Sequence, residues 1–302
     1  MKPFADSGRT ALPSRLAEPE EIPRVRYLFA SAPKQPPPHA ELRVVTRSRP
    51  VERIVAALAW WNEGGVVKFL IAHPPGIGTR EGARELVPPL EADPRLAGRQ
   101  LEHGCLLAED DELAGYLAER GYEARHTERV YEAPAAAVRE RVEDMLSRYR
   151  AEIPCDWRTE PIRAHPPDVV WPLLAPYRLI DPDGLREAWS ASGDQGYDPE
   201  FSCILFERGS PLGALLVRAN AVCLAVDVRV VKPIAPRLRA LANMTLFDHI
   251  ARLATPGETT LRVLAFRARE LDHGETSNLA KRMGGREVAV RHIHTRPGQG
   301  PA

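Results

Sequence analysis

The stretch VDVRVVKPIAPRLRALANMTLF, residues 226–247, decides how this chain is read. An apolar strand enters a short loop that carries Arg237 and Arg239, with small residues Ala240 and Ala242 at alternating positions, and leaves as an amphipathic helix. Amides in the first turn of a helix lack intrahelical partners and sit at the positive end of its dipole. A phosphate placed there gains hydrogen bonds and a favourable field together.

Outward from this stretch the elements are regular. Residues 261–268 (LRVLAFRA) read as a buried strand, 275–283 as a helix ended by Gly284-Gly285, and 287–295 as an alternating final strand. Upstream, 157–164 reads as a strand and 167–180 and 183–190 as two helices. Residues 201–207 and 211–219 form a hairpin turning at Arg208-Gly209-Ser210, and 224–231 leads into the loop.

With that order in place, the loop resembles the acyl-CoA pyrophosphate loop of the GNAT acyltransferase superfamily, whose pattern is Val-x-Pro followed by Arg-Gly-x-Gly-Ile-Gly. Val231 and Pro233 match its start, and Arg237 to Leu246 fall on the rest, with Leu238, Ala240 and Ala242 where the family has glycine. Asn278 matches an asparagine of the family's penultimate helix, whose ending Tyr-x-x-x-Gly-Phe lies on residues 280–285, so that Ala280 aligns with the tyrosine. The resemblance runs from about residue 160 to 296 and implies an α/β (α+β) fold, a mixed and mostly antiparallel sheet flanked by helices.

The first half reads as a second, eroded copy. Residues 41–47, 54–61 and 66–72 are strand-like, with a Gly64-Gly65 hairpin, and a loop at 73–83 containing Gly76, Gly78 and Gly82 opens a helix. No first strand is visible before a helix at 20–32. LAERG at 117–121 echoes LAKRMG at 279–284 with one gap. Two tandem GNAT-like domains are therefore expected, at 18–134 and 156–296, with residues 135–155 as a bridging helix whose Val138, Val142, Met145 and Tyr149 share a face. The first copy is expected to be structural.

A length of 302 residues suits two domains, and 41 basic against 41 acidic residues give no field that would draw nucleic acid or an anionic membrane. No signal peptide or bilayer-spanning run is read, so the expected compartment is the cytoplasm. Cys105, Cys155, Cys203 and Cys223 form no Cys-x-x-Cys pair, and no metal is expected. His292 and His294 share a strand face without a third ligand. The first ~20 residues and the tail from Pro297 are rich in Pro, Gly and small polar residues and read as disordered.

The resemblance implies acetyl-CoA, or another acyl-CoA, as co-substrate. Val230, Val231, Arg237, Arg239, Ala240, Ala242, Asn243 and Asn278 would bind it: the strand end along the pantetheine arm, the arginines on phosphate, and Asn278 on the arm, as a helix cap, or as both. Asp227 is the candidate base, because alternate residues of a strand share a face and it precedes Val231 by an even step. The alternative is an aspartate paired with Arg229 or facing solvent. Trp171, Tyr177, Trp189 and Tyr197 either line an amine pocket or fill the core. Two functions follow: an N-acetyltransferase acting on a primary amine of a small molecule or peptide, as monomer or homodimer, or an inactive tandem GNAT protein that binds acyl-CoA or a protein partner.

Overall fold

The computed structural model describes residues 14–30, 35–47, 53–75, 78–177, 180–191, 193, 196–254, 261–269 and 273–298. Of the ends expected to be disordered, residues 1–13 and 299–302 lie outside the described residues, as do Gly76 and Ile77 of the first glycine loop, whereas residues 14–20 and 297–298 are described and include a short strand at Arg15–Leu16. The chain divides into two units, residues 1–127 with 291–302, and residues 128–290.

The first unit runs β1 (Arg15–Leu16), α1 (Ile22–Leu28), β2 (Glu41–Arg47), β3 (Arg53–Glu63), β4 (Val66–Ala72), α2 (Thr79–Glu91), β5 (Leu101–His103), β6 (Leu107–Ala108) and α3 (Glu112–Glu119). β1 to β4 are antiparallel neighbours and β4 to β5 is parallel. β1 escapes the sequence reading because two residues carry no periodicity. β3 is continuously apolar because both of its faces are covered. Ala56, Leu58 and Trp60 join one core cluster with α2 and α3, while Ala57, Ala59 and Trp61 join another with α1. Gly64 and Gly65 turn the β3–β4 hairpin at φ 61° and 85°, the left-handed pair such a turn needs.

β7 (Glu123–Pro134) leads into the second unit, followed by α4 (Ala135–Tyr149), β8 (Trp157–Pro161), α5 (Trp171–Leu174), α6 (Pro182–Ser190), β9 (Cys203–Glu207), β10 (Ser210–Ala219), β11 (Cys223–Val231), α7 (Pro236–Leu253), β12 (Val263–Arg269), α8 (His273–Arg282) and β13 (Arg286–Arg296). The strand order is β7-β12-β11-β10-β9-β8, antiparallel except for β11 with β12. The end of β13 returns to the first unit, where Thr295 and Arg296 pair with β5. The helix expected as a bridge is α4, which packs on α7 and buries Val138 and Val142 within the second unit. The helix expected over 167–180 is broken into single turns, because Pro172 and Pro176 lack the N–H that would carry it on. α8 ends as read: Gly284 takes φ 81° and the Gly285 amide donates to Ala280 O at 2.8 Å. No described helix is long and apolar enough to cross a membrane.

Candidate functional site in the second unit

β11 and β12 pair in parallel only from Cys223↔Val263 to Val226↔Phe266. Beyond that point β11 stays with β10 as far as Val231 opposite Gly213, while β12 stays with β7 as far as Arg269 opposite Glu128. The two strands therefore part, and an opening forms between them. Asp227 marks its start. β10 pairs Leu216 with Val228 and Val217 with Val226, which leaves Asp227 as the extra residue of a β-bulge. The bulge also moves alternation to the other face: Leu224 and Val226 belong to the core under α4 and α7, whereas Val228 and Val230 belong to the core under α5 and α6. The even step from Asp227 to Val231 consequently does not place them on a common face, which corrects the parity argument made from sequence.

Asp227 is surrounded by guanidiniums. Arg269 Nη2 donates to its Oδ1 at 2.8 Å, Arg267 Nη1 to Oδ1 at 3.2 Å and Arg218 Nε to Oδ2 at 3.4 Å, and the Tyr197 hydroxyl donates to Oδ2 at 3.3 Å. The Arg218 guanidinium also lies over the Tyr197 ring, 5.0 Å from its centre. Burial by itself would raise the Asp227 pKa, but Arg269, Arg267 and Arg218 outweigh it and hold the carboxyl below its ordinary value. A carboxylate so held is a weak proton acceptor. The structure thus sets Asp227 in an ion cluster where the sequence offered it as a base, and its partners are not Arg229. Burial, with Asp227 alongside, pushes the Tyr197 hydroxyl in the opposite direction, well above the usual phenol range.

Arg229 lines the same opening from β11. Its Nη1 donates to Asn243 Oδ1 at 2.8 Å and Glu275 Oε1 at 3.2 Å, and its Nη2 to Thr276 Oγ1 at 3.0 Å. Its side chain is only 4% exposed and its Nε has no hydrogen-bond partner. The cavity left among Asp227, Arg229, Arg267, Arg269 and Thr276 is about 10 Å³, room for no more than a water.

The expected phosphate loop is shorter than its sequence suggested. α7 begins at Pro236, with Ala235 as its N-cap and proline in the first helical position. Residues 237–243 are therefore helix, because without glycine nothing stops the helix from forming this early. Arg237 and Arg239 stand in its first turn, where Arg237 Nε donates to Glu152 at 2.7 Å and Arg239 Nη2 to Glu275 at 2.8 Å. Ala240 is exposed, but Ala242 is in the core, and Asn243 bonds Arg239 O through Nδ2 at 2.9 Å while holding Arg229. Ala242 and Asn243 thus offer no loop amide to a ligand. The side chains of Val230 and Val231 are buried, leaving only their backbone at the strand end. Asn278 is exposed in the second turn of α8 and does not cap it, since that helix starts at His273.

Arg218, Arg267 and Arg269 were missed from sequence. Their signal was the alternation Arg267-x-Arg269, which follows the last β12 residue paired with β11 as Asp227-x-Arg229 follows its partner, but that register is not local information. Trp171, Tyr177 and Trp189 pack against the core of the α5 and α6 face. His292 bonds Thr127 and Glu109, both at 3.1 Å. Among the described residues no group of three or more His, Cys, Asp or Glu is placed to hold a metal.

The first unit repeats the build. β4 and β5 pair only over Val67–Phe69 and Leu101–His103, and α2 starts after Gly78, where His73 Nε2 meets Thr79 Oγ1 at 2.7 Å.

No family model matches the sequence, and no curated protein matches it. Solved structures do. A tandem GNAT protein from the clavulanic acid biosynthesis pathway aligns with a TM-score of 0.53 at 15% identity, over 96% of this chain and 99% of its own. A GCN5-related N-acetyltransferase from Sphaerobacter thermophilus aligns at 0.50 and 16%, over 97% and 98%. One from Anabaena variabilis aligns at 0.52 and 12%, over 95% and 73%. At these identities the likeness is one of fold, and what it shows is that this chain has the GNAT fold in a tandem arrangement.

Proposed function

We propose that the chain is an acyl-CoA-dependent N-acyltransferase working from the second unit, in the simplest case an acetyltransferase that acts on a primary amine of a small molecule or peptide. The observation that carries this reading is the parting of β11 from β12 at the Asp227 bulge, in line with the N-terminus of α7. The donors suit the ligand at its phosphate end: first-turn amides of α7, with Lys232 and Arg237 exposed beside them. When bound, the co-substrate supplies an activated thioester. A neutral amine nitrogen forms the new N–C bond as the C–S bond breaks, the thiolate departs, and the amine proton passes to water.

One set of observations favours a second reading, a catalytically silent protein that binds a ligand in a regulatory role. The opening is filled by side chains, and Ala280, aligned with the tyrosine that protonates the thiolate in relatives, is fully buried. Calorimetry of the full chain with acetyl-CoA, paired with an assay of free-thiol release across a panel of amines, separates the two. Saturable binding with thiol release supports the enzyme. Binding without release supports the silent protein, and no binding removes the enzyme and leaves only a silent protein that takes a protein partner.

A further inference from the structure

Five guanidiniums crowd one end of the β11–β12 opening: Arg218, Arg229, Arg239, Arg267 and Arg269. Among their carboxylate partners are Asp227, Glu128 and Glu275. Of the five, Arg229 is almost wholly buried and shares Glu275 with Arg239, so that a further anion in the opening would recover solvation Arg229 has given up. Two details point into the opening. Arg229 is almost wholly buried with its Nε unbonded, and Arg267 reaches the cluster through a single bond, Nη1 to Asp227, while remaining 29% exposed. Asp227 displays the ligand chemistry itself: a planar carboxylate whose two oxygens are shared among three guanidiniums and a phenol.

We propose that this opening is a carboxylate site, so that the substrate brought to it carries a carboxylate either on the acyl group or on the amine. The proposal rests on the N-acyltransferase reading for the identity of the substrate. The charge pattern itself requires only an anion of carboxylate shape, small enough to take a place beside Asp227 once Arg267 swings outward.

The test uses the full chain and has three arms. Titration with acetyl-CoA and succinyl-CoA asks whether the acyl group bears the charge. Turnover of acetyl-CoA with amino acids and with their decarboxylated amines asks whether the acceptor does. Thermal shift with free succinate asks whether the site exists without CoA. Expected is a preference of at least about tenfold for the charged member in one of the first two arms. Arg267→Met should abolish that preference while the neutral member changes less than about threefold, and Arg267→Lys should restore part of it. If Arg267→Met does not fold, the wild-type preference still decides. Acetyl-CoA binding with no preference in either arm overturns the carboxylate site and leaves the acyltransferase standing. Stabilisation by succinate without binding of either CoA ester does the reverse. No response in any arm overturns both.

Discussion

Asp227 and Arg269 meet across the β11–β12 opening at 2.8 Å, although the last pair in the parallel register, Val226↔Phe266, lies one residue before Asp227 and three before Arg269. Arg269 can reach back because β12 has left β11 by this point. Asp227 is 8% exposed and Arg269 30%, and the pair forms part of how the second unit holds its open sheet edges together.

Asp227→Asn should therefore act on stability first. Removing one partner from a buried ion cluster costs roughly 3 kcal/mol, or about 6–12 °C of melting temperature in a unit of this size. Calorimetric unfolding checks this. A variant that melts like wild type but turns over about a hundredfold more slowly would instead make Asp227 the base.

Arg237 stands at the start of α7 with its side chain 72% exposed, tied to Glu152. Arg237→Glu should weaken CoA binding about threefold to tenfold while leaving pantetheine unaffected, and Glu152→Gln, which releases the arginine, should strengthen it. Titration of both ligands at two salt concentrations is the measurement. Equal losses for CoA and pantetheine would indicate damage to the fold.

The first unit should lose stability in mild acid. Burial, chiefly, pushes the His103 pKa down from 6.5 to about 4, with His294 beside it adding to the effect. The unfolded chain takes the proton below about pH 6.5 and the folded chain only below about 4. Stability is then flat above this window and falls by up to about 3 kcal/mol as the pH drops through it. Asp227 acts in a different range. Its folded pKa is depressed, so its contribution is present above the unfolded value near 3.8 and is lost below it. Urea melts between pH 7 and 4 should show the slope, and His103→Gln should remove much of it.

Two glycines of the first unit separate close packing from helix preference. A Cβ on Gly82 of α2 would lie 2.7 Å from Ala56 Cβ on β3, whereas one on Gly115 of α3 would meet nothing within 4 Å. Gly82→Ala should cost about 1–3 kcal/mol through overpacking, and Gly115→Ala should add up to about 1 kcal/mol. Denaturant midpoints of the two variants, moving in opposite directions, check the prediction.

Local order was legible because it has local causes. Strand-like runs marked β2, β4 and β10, alternation marked β13, the glycine pairs marked the β3–β4 turn and the end of α8, and the apolar face of residues 135–149 marked α4. The break in 167–180 was open to the same kind of reading through Pro172 and Pro176, and its helical period hid it.

The candidate site was legible only in outline. The residues of 226–247 determined a strand, a basic turn and a helix in that order, since period, proline and charge act within a few positions. The tertiary structure decided where α7 begins, that Asp227 sits on a bulge, and that Arg218, Arg267 and Arg269 close on it from two other strands. The bulge and Arg218 depend on the register of β10 with β11, and Arg267 and Arg269 on that of strands about 40 residues apart; register is set by how whole sheets and helices pack, not by the period of any one segment.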